Sequence, residues 1–99
     1  MVCHHLIKIT KSDKSNKKMM AIFQDCNTLR KKTVHFGAKG MSDYTIHKDP
    51  ERKKRYIERH KQNENWNNPT SPGALSRWIL WNKTSLISSI TAYKNKFHF

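Results

Sequence analysis

Ninety-nine residues, 35% of them hydrophobic, suffice for one domain with a small core, since a chain of this size hides only about two-thirds of its extended surface. Twenty Lys and Arg against seven Asp and Glu give +13 with neutral His, a self-repulsion that calls for nucleic acid, an acidic protein surface or anionic lipid. Without an 18-residue apolar run a membrane-spanning helix is excluded, and Cys3 and Cys26 are too few for a secreted disulfide scaffold, so synthesis in a reducing, intracellular setting is expected.

The chain opens with His4, His5 and Lys8 among a few apolar residues, which does not read as a signal peptide. Cys3 to Thr10 is a short β-prone run carrying Leu6, Ile7 and Ile9, and it ends at the polar tract KSDKSNKK. Met19 to Phe23 and Lys32 to Phe36 are further β-prone runs, parted by the polar break Asp25 to Thr28. Three runs and two breaks predict an antiparallel meander over residues 3–36. Such a sheet buries one face only, so a helical layer must cover it. Gly37-Ala38-Lys39-Gly40 favours positive φ and is expected to end the sheet region. The polar segment MSDYTIHKD is expected to pack as an ordered loop or short edge strand, with Tyr44 and Ile46 pointing inward.

Asp49-Pro50-Glu51 combines an N-cap, a proline at the first helical position and an acid at the positive dipole end, and predicts a helix over about 49–63. Its apolar seam is narrow, Tyr56, Ile57 and His60, while a Glu51–Arg55 pair at i,i+4 would offset part of its charge. Asn63 to Gly73 is rich in breakers, and its Trp66 is expected to plug back onto the core. Ser71-Pro72 starts a second helix over about 72–82. Leu75, Trp78, Ile79, Leu80 and Trp81 are the densest apolar cluster of the chain, and α-helical spacing puts Leu75, Trp78 and Trp81 on one side with Leu80 elsewhere. Thr84 or Ser85 caps a third helix over about 85–96, where Leu86, Ile90, Tyr93 and Phe97 form one stripe. The expected fold is α+β, a short meander packed against two or three short helices. Residues 1–33 are its basic, β-prone part and residues 34–99 the remainder of one small domain.

The candidate polyanion-binding residues are Lys14, Lys17 and Lys18 in the polar tract and Arg52, Lys53, Lys54, Arg55, Arg59 and Lys61 on the first helix. A solvated helix face carries similar charge, but the surplus extends beyond the helix, at +6 over residues 1–36 beside +4 over residues 48–61. Trp66, Trp78, Trp81 and Tyr93 are candidates for core packing or for docking a protein partner, with base stacking as the alternative. The glycine turn lacks the phosphate-loop pattern and reads as structural. Cys3, His4, His5 and Cys26 would ligate zinc only if the first two strands met there, and no C-x-x-C pair is present. His35 and His47, with Asp43 and Tyr44 between them, have the residue types of acid/base chemistry. No nucleophile, oxyanion site or paired carboxylates accompany them, so hydrogen bonding in the turn is the expectation. No catalytic residue, metal or cofactor is expected.

The stretches VHFGAKGMSDYTIHKD (34–49), ERKKRYIERH (51–60), ENW (64–66) and GALSRWILWNK (73–83), followed by Leu86 and Ile90, together resemble a small basic protein family of large double-stranded DNA viruses of algae and amoebae. The resemblance covers residues 34–97. It implies a viral origin, synthesis inside the host cell and a place in the virion, and it implies no activity. The resulting expectation is a non-enzymatic minor capsid or internal virion component that contacts a capsid or other virion protein, acidic surfaces or packaged DNA. The alternative is a nucleic-acid-binding factor serving genome compaction or transcription. Oligomeric state is left open.

Overall fold

A computed structural model describes residues 3–99. Three strands come first, β1 (His4–Lys11), β2 (Lys17–Asp25) and β3 (Lys31–Ala38), paired antiparallel in the order β1-β2-β3. The polar tract divides: Lys11 closes β1, Lys17 and Lys18 open β2, and the turn between them is tied by the Ser12 amide donating to the Lys18 carbonyl. Alternation along the strands buries Ala21 and Phe23 of β2 beside Val34 and Phe36 of β3. A register shift between Leu6 and Lys8 lets Leu6 and Ile9, three apart, both pack on that core, and leaves Ile7 44% exposed.

The second turn is organised by Asp25. Its carboxylate accepts from the amides of Asn27 and Thr28 at 2.8 and 2.9 Å, and these amides hold its pKa below the ordinary carboxylate range. Cys3 and Cys26 form a disulfide, a pairing that the reading of two cysteines as too few for a disulfide scaffold did not include. The cause is register: His4 faces Asp25 across the β1–β2 ladder, so the flanking cysteines arrive at a Cα separation of 5.4 Å, within bridging range.

The segment after β3 is neither a loop nor an edge strand but a one-turn helix, α1 (Tyr44–His47), capped by Asp43, whose carboxylate accepts from the Thr45 amide. One helical turn cannot turn both anchors inward: Tyr44 is half-buried and Ile46 is 62% exposed. The helix α2 (Pro50–His60) begins with the cap and proline the sequence predicts, Asp49 accepting from the Glu51 amide, and ends slightly before the expected boundary. Gly37 lies inside β3 rather than beyond it, at φ +78°.

A second short helix, α3 (Pro72–Leu75), is capped by Ser71 and continues as a π-helical turn over Ser76–Leu80. Within it the Trp81 amide donates to the Ser76 carbonyl five residues back, at 3.0 Å. This wider turn changes which residues share a side. Leu75, Ile79 and Leu80 are all buried in the core, whereas Trp78 and Trp81 are half-buried on its flanks. The α-helical reading that turned Leu80 away from Leu75 fails for that reason.

The last helix, α4 (Leu86–Phe97), is capped by Ser85 and presents the expected stripe: Tyr93 is fully buried, and Leu86, Ile90 and Phe97 pack against the core. The Tyr93 hydroxyl donates to the Pro69 carbonyl at 2.6 Å, which satisfies its one polar atom. His98 adopts a left-handed cap at φ +60°, and the chain folds back so that the Phe99 ring lies 5.6 Å from Phe23 and 5.7 Å from Tyr93. One face of the sheet is thus covered by α3, the π-helical turn and α4.

Candidate polyanion-binding track

Beyond Pro50, the residues of α2 and its C-cap Lys61 form three stripes along the helix. Tyr56, Ile57 and His60 face inward with Lys53, and of these only Tyr56 is buried. Glu51, Lys54, Glu58 and Lys61 form an exposed stripe of alternating sign, while Arg52, Arg55 and Arg59 form an exposed stripe of one sign. Among the described residues Lys18 pairs with Asp43, and His35 with Asp13 and His60 with Glu64 are in reach of an ion pair when the imidazole is protonated. Glu51 is therefore not paired with Arg55, and the arginine stripe remains available to an outside anion.

A column of rings fixes the direction of this helix. Tyr56 stacks on Trp81 at 4.2 Å and 2°, His60 stacks on the other side of Tyr56 at 4.3 Å, and His47 packs on Trp81 at 5.2 Å. Burial, with the nearby Glu64 carboxylate second, raises the Tyr56 hydroxyl pKa well above the ordinary phenol value. Both neighbours of Trp81 in the column are thus rings of this chain. Trp66 and Trp78 are occupied too: Arg77 lies 5.4 Å from the Trp66 ring and 4.3 Å from that of Trp78, with Lys96 4.5 Å from the latter. The Trp78 indole also donates to the Trp66 carbonyl at 2.9 Å, holding that loop against the core. These tryptophans brace the fold, which leaves them poorly placed to stack bases.

Three adjoining depressions run from the arginine stripe to the first turn. A notch of about 230 Å³ is lined by Arg52, Arg55, Arg59, Met41, Ser42 and Trp81. Arg59, Ser42 and Trp81 also border a cleft of about 390 Å³, which continues past Tyr56, His60 and Glu64 to His35 and Lys17. Lys17 and His35 in turn border a groove of about 600 Å³ that includes Lys14, Lys32 and Thr70. Arg52, Arg55, Arg59, Lys17, Lys14 and Lys32 therefore lie along one continuous path. Its two carboxylates are already engaged: Asp43, 2% exposed, holds the Lys18 ammonium at 2.6 Å, and Glu64 holds His60 at 2.9 Å and the Trp66 indole at 3.4 Å. Guanidinium forks at one end and ammonium groups at the other suit an extended phosphate or carboxylate polymer.

Of the residues the sequence nominated, Arg52, Arg55, Arg59, Lys14 and Lys17 are brought onto the path. Lys18 lines it but is neutralised by Asp43. Lys53 is drawn inward, its ammonium donating to the Asn82 carbonyl at 2.6 Å and lying 5.0 Å from the Tyr44 ring. Burial, then the charges of Arg77 and Lys83, hold the Lys53 pKa below the ordinary lysine value. Lys54 and Lys61 belong to the mixed stripe, and Tyr93 is in the core. Lys32 was missed, although the run Arg30-Lys31-Lys32 resembles in charge the run that drew attention to α2. It sits in the groove with its ammonium donating to the Thr70 hydroxyl at 3.2 Å.

The remaining candidates have local roles. Nδ1 of His35 shares a hydrogen bond of 2.7 Å with the Ser12 hydroxyl. Nδ1 of His47 accepts from the Asp49 amide at 3.0 Å, so the two histidines serve different turns. The disulfide takes both sulfurs of the Cys3/His4/His5/Cys26 set, and the described residues contain no cluster of three His, Cys, Asp or Glu placed to hold a metal ion. No helix of the described residues is long and apolar enough to cross a membrane.

Fold and track together define a small, strongly basic α+β module with an open cationic path between a sheet edge and an arginine helix. The chain belongs to a family of unknown function, DUF5754, whose model matches residues 7–60. The matched span runs from β1 to the end of α2, so it takes in the sheet and the arginine stripe and stops before the tryptophan segment. No curated protein and no solved structure matches the chain.

Proposed function

We propose that the protein is a non-enzymatic binding module that holds an extended polyanion along this track, and that its polyanion is nucleic acid. The observation that carries the reading is the alignment of six cationic side chains along adjoining depressions whose two carboxylates are already engaged, Asp43 by the Lys18 ammonium and Glu64 by hydrogen bonds to His60 and Trp66. Phosphates laid there would release counterions without first breaking an internal ion pair. The setting proposed is the virion of a large DNA virus, as a minor capsid or internal component beside packaged DNA. This setting rests on the sequence resemblance over residues 34–97.

Fluorescence anisotropy against duplex DNA over a salt series tests the binding. If all six cations meet phosphates, log affinity falls with log salt at a slope of about −5. Replacing Arg52, Arg55 and Arg59 together by Ala should make the slope shallower by about 3, whereas Lys54→Ala with Lys61→Ala should change it less. An arginine-stripe variant that binds with unchanged slope and affinity would refute the track. Mass spectrometry of purified virions tests the setting: a protein present in infected cells and missing from virions belongs instead to genome compaction or transcription.

A further inference from the structure

Beside the cationic track lies a groove of different character, about 750 Å³, lined by Met19, Met41, Ile46 and Leu86 with Lys11 and Lys39 at its edge. Its floor is assembled from four places in the chain: Met19 from β2, Met41 from the loop after β3, Ile46 from α1 and Leu86 from the start of α4. Met41 is 65% exposed and Ile46 62% exposed, so a substantial part of this apolar surface faces water. The one-turn helix α1, capped by Asp43, carries Ile46 on its exposed side. Lysines Lys11 and Lys39 are exposed, Lys17 also borders the groove, Lys18 lines it with its charge held by Asp43, and no carboxylate lines it.

We infer that this groove docks an acidic, amphipathic segment of a partner protein, apolar side chains seated on the methionine-rich floor and carboxylates facing the lysine rim. Methionine side chains are unbranched and adapt to irregular apolar partners, and an amphipathic segment in an apolar groove is a recurring recognition mode. The charge selects the occupant. A second copy of this chain would bring its own lysine rim against this one, and juxtaposed like charges oppose association. A phosphate polymer has no apolar face to seat on Met19, Met41, Ile46 and Leu86. A planar anionic membrane would meet the lysines but would not fill a concavity.

The probe is a fluorescein-labelled helical peptide with leucines along one face and glutamates on the other, titrated by anisotropy at physiological salt. Two controls accompany it, one with every glutamate replaced by glutamine and one carrying glutamate without leucine. The peptide should bind with an affinity about tenfold above either control. Ile46→Asp, at a position 62% exposed, and Lys11→Glu with Lys39→Glu should each weaken it about tenfold. The Arg52/Arg55/Arg59 alanine variant should keep its peptide affinity, which separates failure here from failure of the nucleic-acid reading. The inference is overturned if the leucine-free control binds as tightly, or if Ile46→Asp leaves peptide affinity unchanged. It is equally overturned if sedimentation reveals a self-association, or flotation a binding to anionic phosphatidylserine vesicles, that Ile46→Asp abolishes while peptide binding is absent.

Discussion

Gly37→Ala probes the contact on which the floor of the cleft depends, because Gly37 of β3 and Leu80 of the π-helical turn both line it. Two costs can be worked from the structure. At φ +78° an added side chain meets a backbone conformation disfavoured for L-residues by about 1–2 kcal/mol. A Cβ there would also stand 2.6 Å from Cδ1 of Leu80 and 3.3 Å from Cβ of Lys18, an overpacking worth about 1–3 kcal/mol. Stiffening the unfolded chain returns about 0.4–1 kcal/mol, so the net loss is about 1–5 kcal/mol. Gly40 supplies the control: its φ is +90°, but nothing lies within 4 Å of an added Cβ, so Gly40→Ala should lose only about 1 kcal/mol. Urea unfolding of both variants reads the difference as a shift in midpoint at constant slope. Adding Leu80→Ala should make Gly37→Ala less costly, with a coupling of about 1 kcal/mol or more. Equal losses for the two glycine variants, or no coupling to Leu80, would refute the close approach of β3 to the π-helical turn.

Two further expectations concern stability. Replacing Cys3 and Cys26 together by Ser opens a link across 23 residues of sequence, and loop-closure entropy puts the loss near 3 kcal/mol; an unchanged urea midpoint would show that the bond does not constrain the chain. Burial raises the hydroxyl pKa values of Tyr56 and Tyr93 above the ordinary phenol range of about 10. Below that pH both folded and unfolded chains keep these protons; above it the unfolded chain releases them first, so stability falls as pH rises. In a Tyr44→Phe variant, phenolate absorbance should therefore appear only together with the loss of near-ultraviolet circular dichroism, and full ionisation of a still-folded protein would contradict the burial.

Local chemistry accounts for what is legible in the sequence. Asp49-Pro50, Ser71-Pro72 and Ser85 carry their helix starts within a few residues, because a side-chain oxygen that accepts from a nearby amide needs no distant partner. The meander follows from three β-prone runs and two breaks, and the stripe Leu86, Ile90, Tyr93, Phe97 from helical spacing alone. The nine nominated cations include every member of the arginine stripe for the same reason: charge is read directly from residue identity.

Tertiary structure decided the rest. Whether a lysine is available depends on what faces it across the fold, so the neutralisation of Lys18 by Asp43, the inward turn of Lys53 to Asn82 and the arrival of Lys32 beside Lys14 and Lys17 have no local signature. The Cys3–Cys26 bond required the β1–β2 register, and the burial of Leu80 required a π-helical turn whose i,i+5 bond contradicts ordinary helical periodicity. Capping, spacing and charge act over a few residues and were determined by sequence alone; pairing, burial and the continuity of the track arise between segments distant in the chain, and only the folded arrangement brings those together.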